Sequence, residues 1–181
     1  MTGTANPGDG AERPQSLLSS WSDVPAVLID RHLTVVESNR LAKALTPGFV
    51  PGVNLVRFAF LDPELDLEVG LWGPITRQLA GMLKEALEEG DEDAAFHEVI
   101  GELSARSRAF SVTWAEEPLP VRRTGRAIFL GTTAGDVELR YTLFRVPGEG
   151  QETVIVLGSG DSSSRSALRA LGETADSDRP A

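Results

Sequence analysis

The fold is decided by two stretches near the amino end of the chain, PAVLIDRHLTVVESNRLAKAL at residues 25–45 and NLVRFAFLDP at residues 54–63. The apolar, β-branched runs at residues 24–29 and 33–37 predict two short strands on either side of a turn. Asn39 follows at once and predicts an N-cap or a turn, because its side chain can bond nearby backbone N–H groups. The pattern therefore predicts a hairpin that runs directly into a short helix.

A helical segment follows this start. Apolar side chains recur over residues 72–89 at intervals of three and four, which predicts a helix with one core-facing stripe and with Pro74 in its first turn. Further helices are predicted over residues 93–105 and after Ser107, whose hydroxyl can cap a helix start. Residues 54–61 predict only a short helical turn, which the Asp-Pro pair stops.

The carboxyl-terminal part has the composition of strands. Three runs, at residues 126–130, 137–146 and 153–157, are separated by turn signals and predict an antiparallel meander. A last helix is predicted to begin at residues 162–164, before a polar tail from Gly172. The order β-β-α-α-α-α-β-β-β-α predicts an α+β domain, a five-stranded antiparallel sheet with helices packed on one face. A hairpin that runs into an asparagine and a short helix is also how PAS-type sensor domains begin.

Length and composition indicate one small domain with polar ends. A chain of 181 residues is long enough to bury a sizeable core. Residues 1–15 are rich in Gly, Pro and small polar side chains, and residues 173–181 are polar. We therefore predict disordered tails on either side of a PAS-like domain over residues 16–172.

Charge, cysteine content and hydropathy exclude several classes of protein. The chain carries 17 basic and 27 acidic residues, a formal net charge of -10, which argues against direct contact with nucleic acid because phosphates attract basic surfaces. The absence of cysteine excludes disulfides and thiolate metal sites. No apolar run reaches the roughly 18 to 20 residues that span a bilayer, and no signal peptide is recognisable. We expect a cytoplasmic protein without membrane contact.

The chain resembles the PAS-like ligand-binding domain of the MmyB-like transcription regulators, a group of bacterial helix-turn-helix proteins of the XRE type. The resemblance covers about residues 17–172, in the family order. It rests on the NLVRF…LDP element together with the S-x-x-F-x-x-x-W pattern formed by Ser107, Phe110 and Trp114. The other matching segments are PAVLIDRHLTVVESNRLAKAL, LWGPITRQLAGMLKEAL, VIGELSARSRAFSVTWA, GDVELRYTLFRV and ETVIVLGSGDSSSRSALRALG.

The resemblance implies a pocket for a small hydrophobic ligand such as a fatty acid, whose binding controls a DNA-binding domain. Members of the family carry a helix-turn-helix before the hairpin, whereas residues 1–15 stand before the predicted domain here. We therefore expect that this chain does not bind DNA itself. It would act as a stand-alone sensor, which the native-looking Met1 favours, or as one part of a longer regulator.

The candidate ligand contacts are apolar side chains on the predicted helices and one hydroxyl on the sheet. Pockets for small molecules are mostly apolar with a few placed polar groups, and ordinary core packing is the alternative for each candidate. Arg57 is the candidate for pairing with a ligand carboxylate, and its alternative is a structural ion pair with Asp62 or another acid. Tyr141 offers its hydroxyl from the sheet. The apolar candidates are Phe58, Phe60, Trp72, Ile75, Leu79, Met82, Leu83, Phe110 and Trp114.

Catalytic and metal-binding chemistry is disfavoured. His32 is expected in a solvated turn and His97 at an exposed helix position, with haem ligation by His97 as the alternative. Neighbouring carboxylates, such as those of residues 116–117, point apart on a helix. We therefore predict no metal, no cofactor and no acid–base pair. The three arginines of residues 122–126 are interpreted as a solvated strand edge that discourages sheet association, with anion binding as the alternative.

The sequence thus predicts a non-catalytic sensor of a small hydrophobic ligand that acts through a homodimer or a partner transcription regulator. The alternative is a protein–protein interaction or dimerisation module with a filled core and no ligand. An enzyme is disfavoured because no nucleophile, base or metal set converges.

Overall fold

The computed structural model describes residues 18, 20–62, 69–90, 93–116, 120–148 and 150–177, leaving out the side chains of residues 69–72 and 176–177. The tail predicted over residues 1–15 lies outside the described residues.

Five strands form one antiparallel sheet in the order β2-β1-β5-β4-β3. The predicted hairpin consists of β1 (Ala26–Ile29) and β2 (Val35–Ser38). The predicted meander consists of β3 (Thr124–Thr132), β4 (Gly135–Arg145) and β5 (Thr153–Ser159). Because β5 pairs with β1, the hairpin and the meander form a single sheet. The α+β class and the five-stranded antiparallel sheet are therefore confirmed, and the fold is consistent with a PAS-like domain.

Helices account for most of the remaining described residues. They are α1 (Arg40–Lys43), α2 (Leu55–Leu61), α3 (Val69–Glu89), α4 (Ala94–Arg106), α5 (Arg108–Ala115) and α6 (Ser162–Ser177), with a 3₁₀ turn at Pro47–Phe49. Because α2 is a full helix, five helices rather than the predicted four lie between β2 and β3.

Two helix boundaries differ from the prediction. Helix α3 begins before residue 72, so that Pro74 lies inside the helix and not in its first turn. Helix α6 continues to Ser177, past Gly172, where the sequence predicts a polar tail. A glycine inside a helix costs only about 1 kcal/mol relative to alanine, so it does not by itself end a helix.

Two buried asparagines connect the hairpin to the helices. The side chain of Asn39 caps α1 by accepting a hydrogen bond of 2.9 Å from the N–H of Ala42, which confirms the predicted N-cap. Asn54 caps α2 in the same way, and its amide donates to the carbonyl oxygen of His32 at 2.7 Å. Each asparagine therefore fixes a helix start against the hairpin.

The main core lies on one face of the sheet, beneath the helices. It includes Val27 and Ile29 of β1, Leu139 and Leu157 of the meander, and apolar side chains of all six helices. On the opposite, outer face, Leu18 covers Ala26 and Leu28 in a smaller cluster. Within the described ranges, no helix combines the length and the apolar character that crossing a bilayer requires.

Candidate ligand-binding cavity

An apolar cavity of about 380 Å³ lies between the helix-covered face of the sheet and helices α2 and α3. Strands β3, β4 and β5 form one wall, the two helices form the other, and the 3₁₀ turn lies at one end. The volume falls in the range of about 300–1,000 Å³ that small-molecule sites occupy. The larger apolar residues of the lining are Phe49, Leu55, Phe58, Ile75, Leu79, Met82, Ile128, Phe129, Leu143, Ile155 and Leu157.

Aromatic rings and Gly48 shape the wall of the cavity near the 3₁₀ turn. The rings of Phe49 and Phe129 pack at a tilt with their centroids 5.7 Å apart. A Cβ atom added to Gly48 would come within 2.8 Å of the ring of Phe58. Any larger residue at position 48 would therefore displace Phe58, which itself lines the cavity.

Five of the residues that the sequence suggests as ligand contacts line this cavity. They are Phe58 on α2, Ile75, Leu79 and Met82 on α3, and Tyr141 on β4. The three residues on α3 lie on one face of the helix because they are separated by three or four positions. Part of the apolar stripe of α3 therefore faces the cavity.

The other apolar candidates are not part of the lining. Leu83 is fully buried in the main core. Phe60, Phe110 and Trp114 form a separate aromatic cluster, in which Phe110 meets Phe60 edge-on at 5.2 Å and stacks on Trp114 at 5.3 Å between centroids. The side chain of Trp72 lies outside the described residues, so its contact with a ligand stays a prediction.

The structure does not bring Arg57 to the cavity. Its guanidinium pairs with Glu102 at 2.7 Å and with Glu98 at 3.1 Å, both on α4. Hydrogen bonds from Arg106 and then Arg57 hold the pKa of Glu102 below its ordinary value. The arrangement corresponds to the structural ion pair given as the alternative, although the acids are not Asp62.

The lining also includes exposed cations that the sequence analysis does not assign to a pocket. Arg77 on α3, together with Arg122 and Arg126 near the start of β3, lines the cavity and is exposed. We define these three residues as the mouth of the cavity. The sequence around Arg77 contains no pattern that predicts a place in a pocket. The strands that form the opposite wall of the cavity begin more than 40 residues later in the chain. Only the fold brings the two segments together.

Tyr141 supplies the hydroxyl that the sequence predicts on the sheet side. Its residue is half-buried and lines the cavity. Removal from water raises the pKa of Tyr141, and the positive charge of Arg122 partly opposes this effect. The hydroxyl is therefore a neutral hydrogen-bond donor, close enough to Arg122 to interact with it electrostatically.

The two histidines both interact with Asp93. His32 is half-buried rather than solvated, its ring packs on Phe96 with 4.5 Å between centroids, and its Nε2 lies 3.0 and 3.1 Å from the two carboxylate oxygens of Asp93. His97 is exposed, with Nδ1 3.0 Å from the carbonyl oxygen of Asp93. In the described part of the chain, no group of three or more His, Asp or Glu side chains is arranged to hold a metal ion.

A five-stranded antiparallel sheet with an apolar cavity beneath helices on one face is consistent with a PAS-like ligand-binding domain. Comparison with family models agrees, because the model described as MmyB-like transcription regulator ligand binding domain matches residues 11–171. The chain belongs to this family, and the resemblance drawn from the sequence is confirmed. No helix-turn-helix family is found alongside it, and no curated protein gives a significant match. The protein is thus a regulatory ligand-sensing domain.

Proposed function

We propose that this domain is a non-catalytic sensor that binds a single-chain hydrophobic molecule of the fatty-acid class in the cavity between the sheet and helix α3. The observation that carries the proposal is the cavity of about 380 Å³, with its largely apolar lining. Protein interiors are close-packed, with few voids larger than a water molecule. A space of this size is therefore unusual in a domain that binds no ligand.

The energetic cost of such a space favours the sensor over the interaction module with a filled core. Apolar side chains that face an unfilled space lack partner atoms on that side and lose the corresponding dispersion contacts. A bound apolar ligand would recover much of this cost by restoring contacts with the lining.

We further propose that ligand binding is passed on through a second copy of the chain or through a partner regulator. Helix α3 lines the cavity and also carries Glu85 and Glu89, both of which pair with Arg145 of β4. A shift of α3 on binding would therefore act on the sheet. Next to Arg145, the ring of Phe144 is 54% exposed, and Phe144 pairs in register with Val154 of the outer-face cluster. Sedimentation velocity with and without dodecanoic acid tests whether the ligand changes the association state.

The charge of the chain supports a role without direct contact with DNA. The formal net charge of -10 disfavours approach to phosphates but is compatible with the basic surface of a DNA-binding partner. We propose that the protein acts in the bacterial cytoplasm, where transcription regulators work. An association that does not weaken with added salt would contradict the electrostatic part of this proposal.

Native mass spectrometry of the purified chain, followed by denaturing extraction, tests the sensor proposal. We expect a co-purified amphiphile, or binding of dodecanoic acid by isothermal titration calorimetry. Ala127→Phe adds a ring to the lining and should abolish binding, whereas Ala115→Phe adds the same ring at an exposed position on α5 and should not. A chain that carries no small molecule and gives no heat with dodecanoic acid would favour the interaction module instead.

A further inference from the structure

The cations near the mouth of the cavity differ in their pairing with acids. Arg126 lies 3.2 Å from Glu138, and the neighbouring Arg123 pairs with Glu85 on α3. These two guanidinium groups are therefore compensated within the domain. Among the described residues, no acid lies within ion-pair distance of Arg77 or Arg122, which both line the cavity.

Several described cations take part in no ion pair, among them Arg108, Arg165 and Arg169 at exposed positions on helices. Arg77 and Arg122 differ from these because they line the cavity. Two arginines that line a largely apolar cavity and have no carboxylate partner within the described ranges favour an anion as the group they bind. Arginine suits that role because its planar guanidinium can hold a carboxylate with two parallel hydrogen bonds.

The backbone of Arg122 is held in place from the opposite wall. The side-chain amide of Gln78 donates to the carbonyl oxygen of Arg122 at 2.8 Å and accepts from its N–H at 3.1 Å. These two hydrogen bonds join Arg122 to α3, the helix from which Gln78 and Arg77 also line the cavity. The backbone of Arg122 is therefore fixed before any ligand arrives.

The hydroxyl of Tyr141 adds a neutral hydrogen-bond donor to the two arginines. Tyr141 lines the cavity from β4, and Arg122 is the charged residue that acts on the pKa of its hydroxyl. In the described part of the chain, the hydroxyl of Tyr141 has no hydrogen-bond partner. A hydroxyl in an apolar wall contributes most when a ligand supplies its acceptor.

We propose that Arg122, Arg77 and the hydroxyl of Tyr141 form a subsite that binds the carboxylate of a single-chain amphiphile, while the hydrocarbon chain of the ligand lies in the apolar cavity. This inference rests on the proposed function and adds the head-group specificity. It assigns the acid-recognition role to Arg122, Arg77 and Tyr141 rather than to Arg57, whose guanidinium pairs with Glu98 and Glu102. It also assigns to Arg122 the anion-binding alternative that the sequence analysis leaves open for the arginines of residues 122–126.

Titration calorimetry of the full chain with matched ligands tests the subsite. The probes are dodecanoic acid, methyl dodecanoate, dodecyl sulfate and dodecyltrimethylammonium. For the acid, Arg122→Gln should weaken binding by about ten- to hundred-fold, which is the effect of losing charge-assisted hydrogen bonds. Binding of the ester should change little. Tyr141→Phe should reduce acid binding by a smaller factor.

Arg123→Gln is the matched control. It removes the neighbouring cation, which is not part of the cavity lining and pairs with Glu85, so the preference for the acid should be unchanged. Dodecyl sulfate, whose head group is also an anion, should bind the wild-type protein more tightly than the cationic probe does, and the reverse order would contradict an anion subsite. The cationic probe should bind least.

Three further results would overturn the inference. Equal losses of acid and ester binding in Arg122→Gln would mean that the arginine supports the fold rather than the head group. Equal affinity of the wild-type protein for the acid and the ester would exclude head-group recognition while leaving the hydrophobic site intact. If the wild-type protein bound none of the four probes, the sensor function itself would fall, so the two failures are distinguishable.

Discussion

Tyr141 lies directly across Gly125. A Cβ atom added to Gly125 would come 2.5 Å from the tyrosine hydroxyl oxygen and 2.6 Å from ring atoms. The two residues are opposite each other on the paired strands β4 and β3, and both line the cavity. Residues directly opposite in an antiparallel pair project from the same face, so the missing side chain at position 125 is what lets the ring lie over the neighbouring strand. The glycine thus determines where the hydroxyl is held.

Replacing Gly125 with alanine should therefore displace the ring of Tyr141. Removal from water raises the pKa of Tyr141 above its ordinary value of 10.0, so a displaced and more solvated ring should form tyrosinate at lower pH, closer to that value. Because Tyr141 is the only tyrosine of the chain, an absorbance titration follows this group alone. Gly125→Ala should also weaken the binding of dodecanoic acid.

Gly158→Ala provides the matched control for this prediction. Gly158 lies in β5, and an added Cβ atom there would meet no atom within 4 Å. The control should leave the titration of Tyr141 unchanged and should leave stability equal or slightly higher, since glycine weakens a strand interior. Identical titration curves for the wild-type protein and Gly125→Ala would contradict the role assigned to the glycine.

Asn39 should be a major contributor to stability. It is buried, its carbonyl oxygen accepts from the N–H groups of Ala42 and Ala26 at 2.9 and 3.2 Å, and its amide donates to the carbonyl oxygens of Trp21 and Val24 at 2.8 and 2.7 Å. Asn39→Ala removes a helix cap and leaves buried groups without partners, so we expect a loss of about 2–4 kcal/mol in the free energy of unfolding.

Urea unfolding measures this loss. The variant Asn39→Ser separates the contribution of the helix cap from that of the amide N–H donors. Serine retains a capping hydroxyl for α1 but has no amide N–H to donate to the carbonyl groups that precede β1. The loss in the free energy of unfolding for Asn39→Ser should lie between zero and the loss for Asn39→Ala. A loss below about 1 kcal/mol for Asn39→Ala would show that water replaces these bonds without cost.

The parts of the fold predicted from sequence depend on local chemistry. The alternation of buried residues in β5, and the cap formed by Asn39, involve groups a few positions apart, so the chain order alone reveals them. The same holds for the stripe of Ile75, Leu79 and Met82 on α3, whose members line the cavity together. Periodicity reports which side of an element faces inward.

Periodicity does not report whether the inward side meets other side chains or a cavity. Phe58 and Phe60 are two positions apart on α2, yet Phe58 lines the cavity and Phe60 packs on Phe110. Arg57 likewise meets acids that lie 41 and 45 positions further along the chain. These partners are set by how α2 and α4 pack, which no local pattern encodes. For the same reason, the sequence does not reveal that Arg77 and Arg122 line the same cavity.

Arg57→Ala should reduce stability without changing ligand selectivity. Its ion pair with Glu102 is partly exposed, with about a third of each side chain accessible, so we expect only a small loss in the free energy of unfolding. The ratio of affinities for dodecanoic acid and its methyl ester should match that of the wild-type protein. Glu102→Gln, which removes the partner charge, should give a similar loss of stability. A selective loss of acid binding in Arg57→Ala would instead restore the hypothesis that this residue holds the ligand carboxylate.

Asp93 should make the stability of the domain dependent on pH in the acidic range. It caps α4 and also binds the hairpin turn through His32 and, at 3.6 Å, Arg31. The hydrogen bond from the N–H of Phe96, followed by the hydrogen bond and charge of His32, holds the pKa of Asp93 below its ordinary value of 3.8. A carboxyl group whose pKa is lower in the folded state stabilises the fold above its unfolded value, and this contribution is lost as the pH falls through the folded pKa.

The variant Asp93→Asn isolates this charge, because asparagine is as good an N-cap as aspartate. Above about pH 5 the wild-type protein should be the more stable of the two, and the difference should shrink as the pH falls below about 4. Glu102 and Asp161 also have lowered pKa values, but they titrate in both proteins and cancel in the comparison. His32→Gln should remove part of the difference, since it eliminates one partner of the carboxylate. Parallel stability curves from pH 3 to 7, measured by urea unfolding, would mean that the cap acts through its hydrogen bonds alone and that the charge of Asp93 contributes nothing.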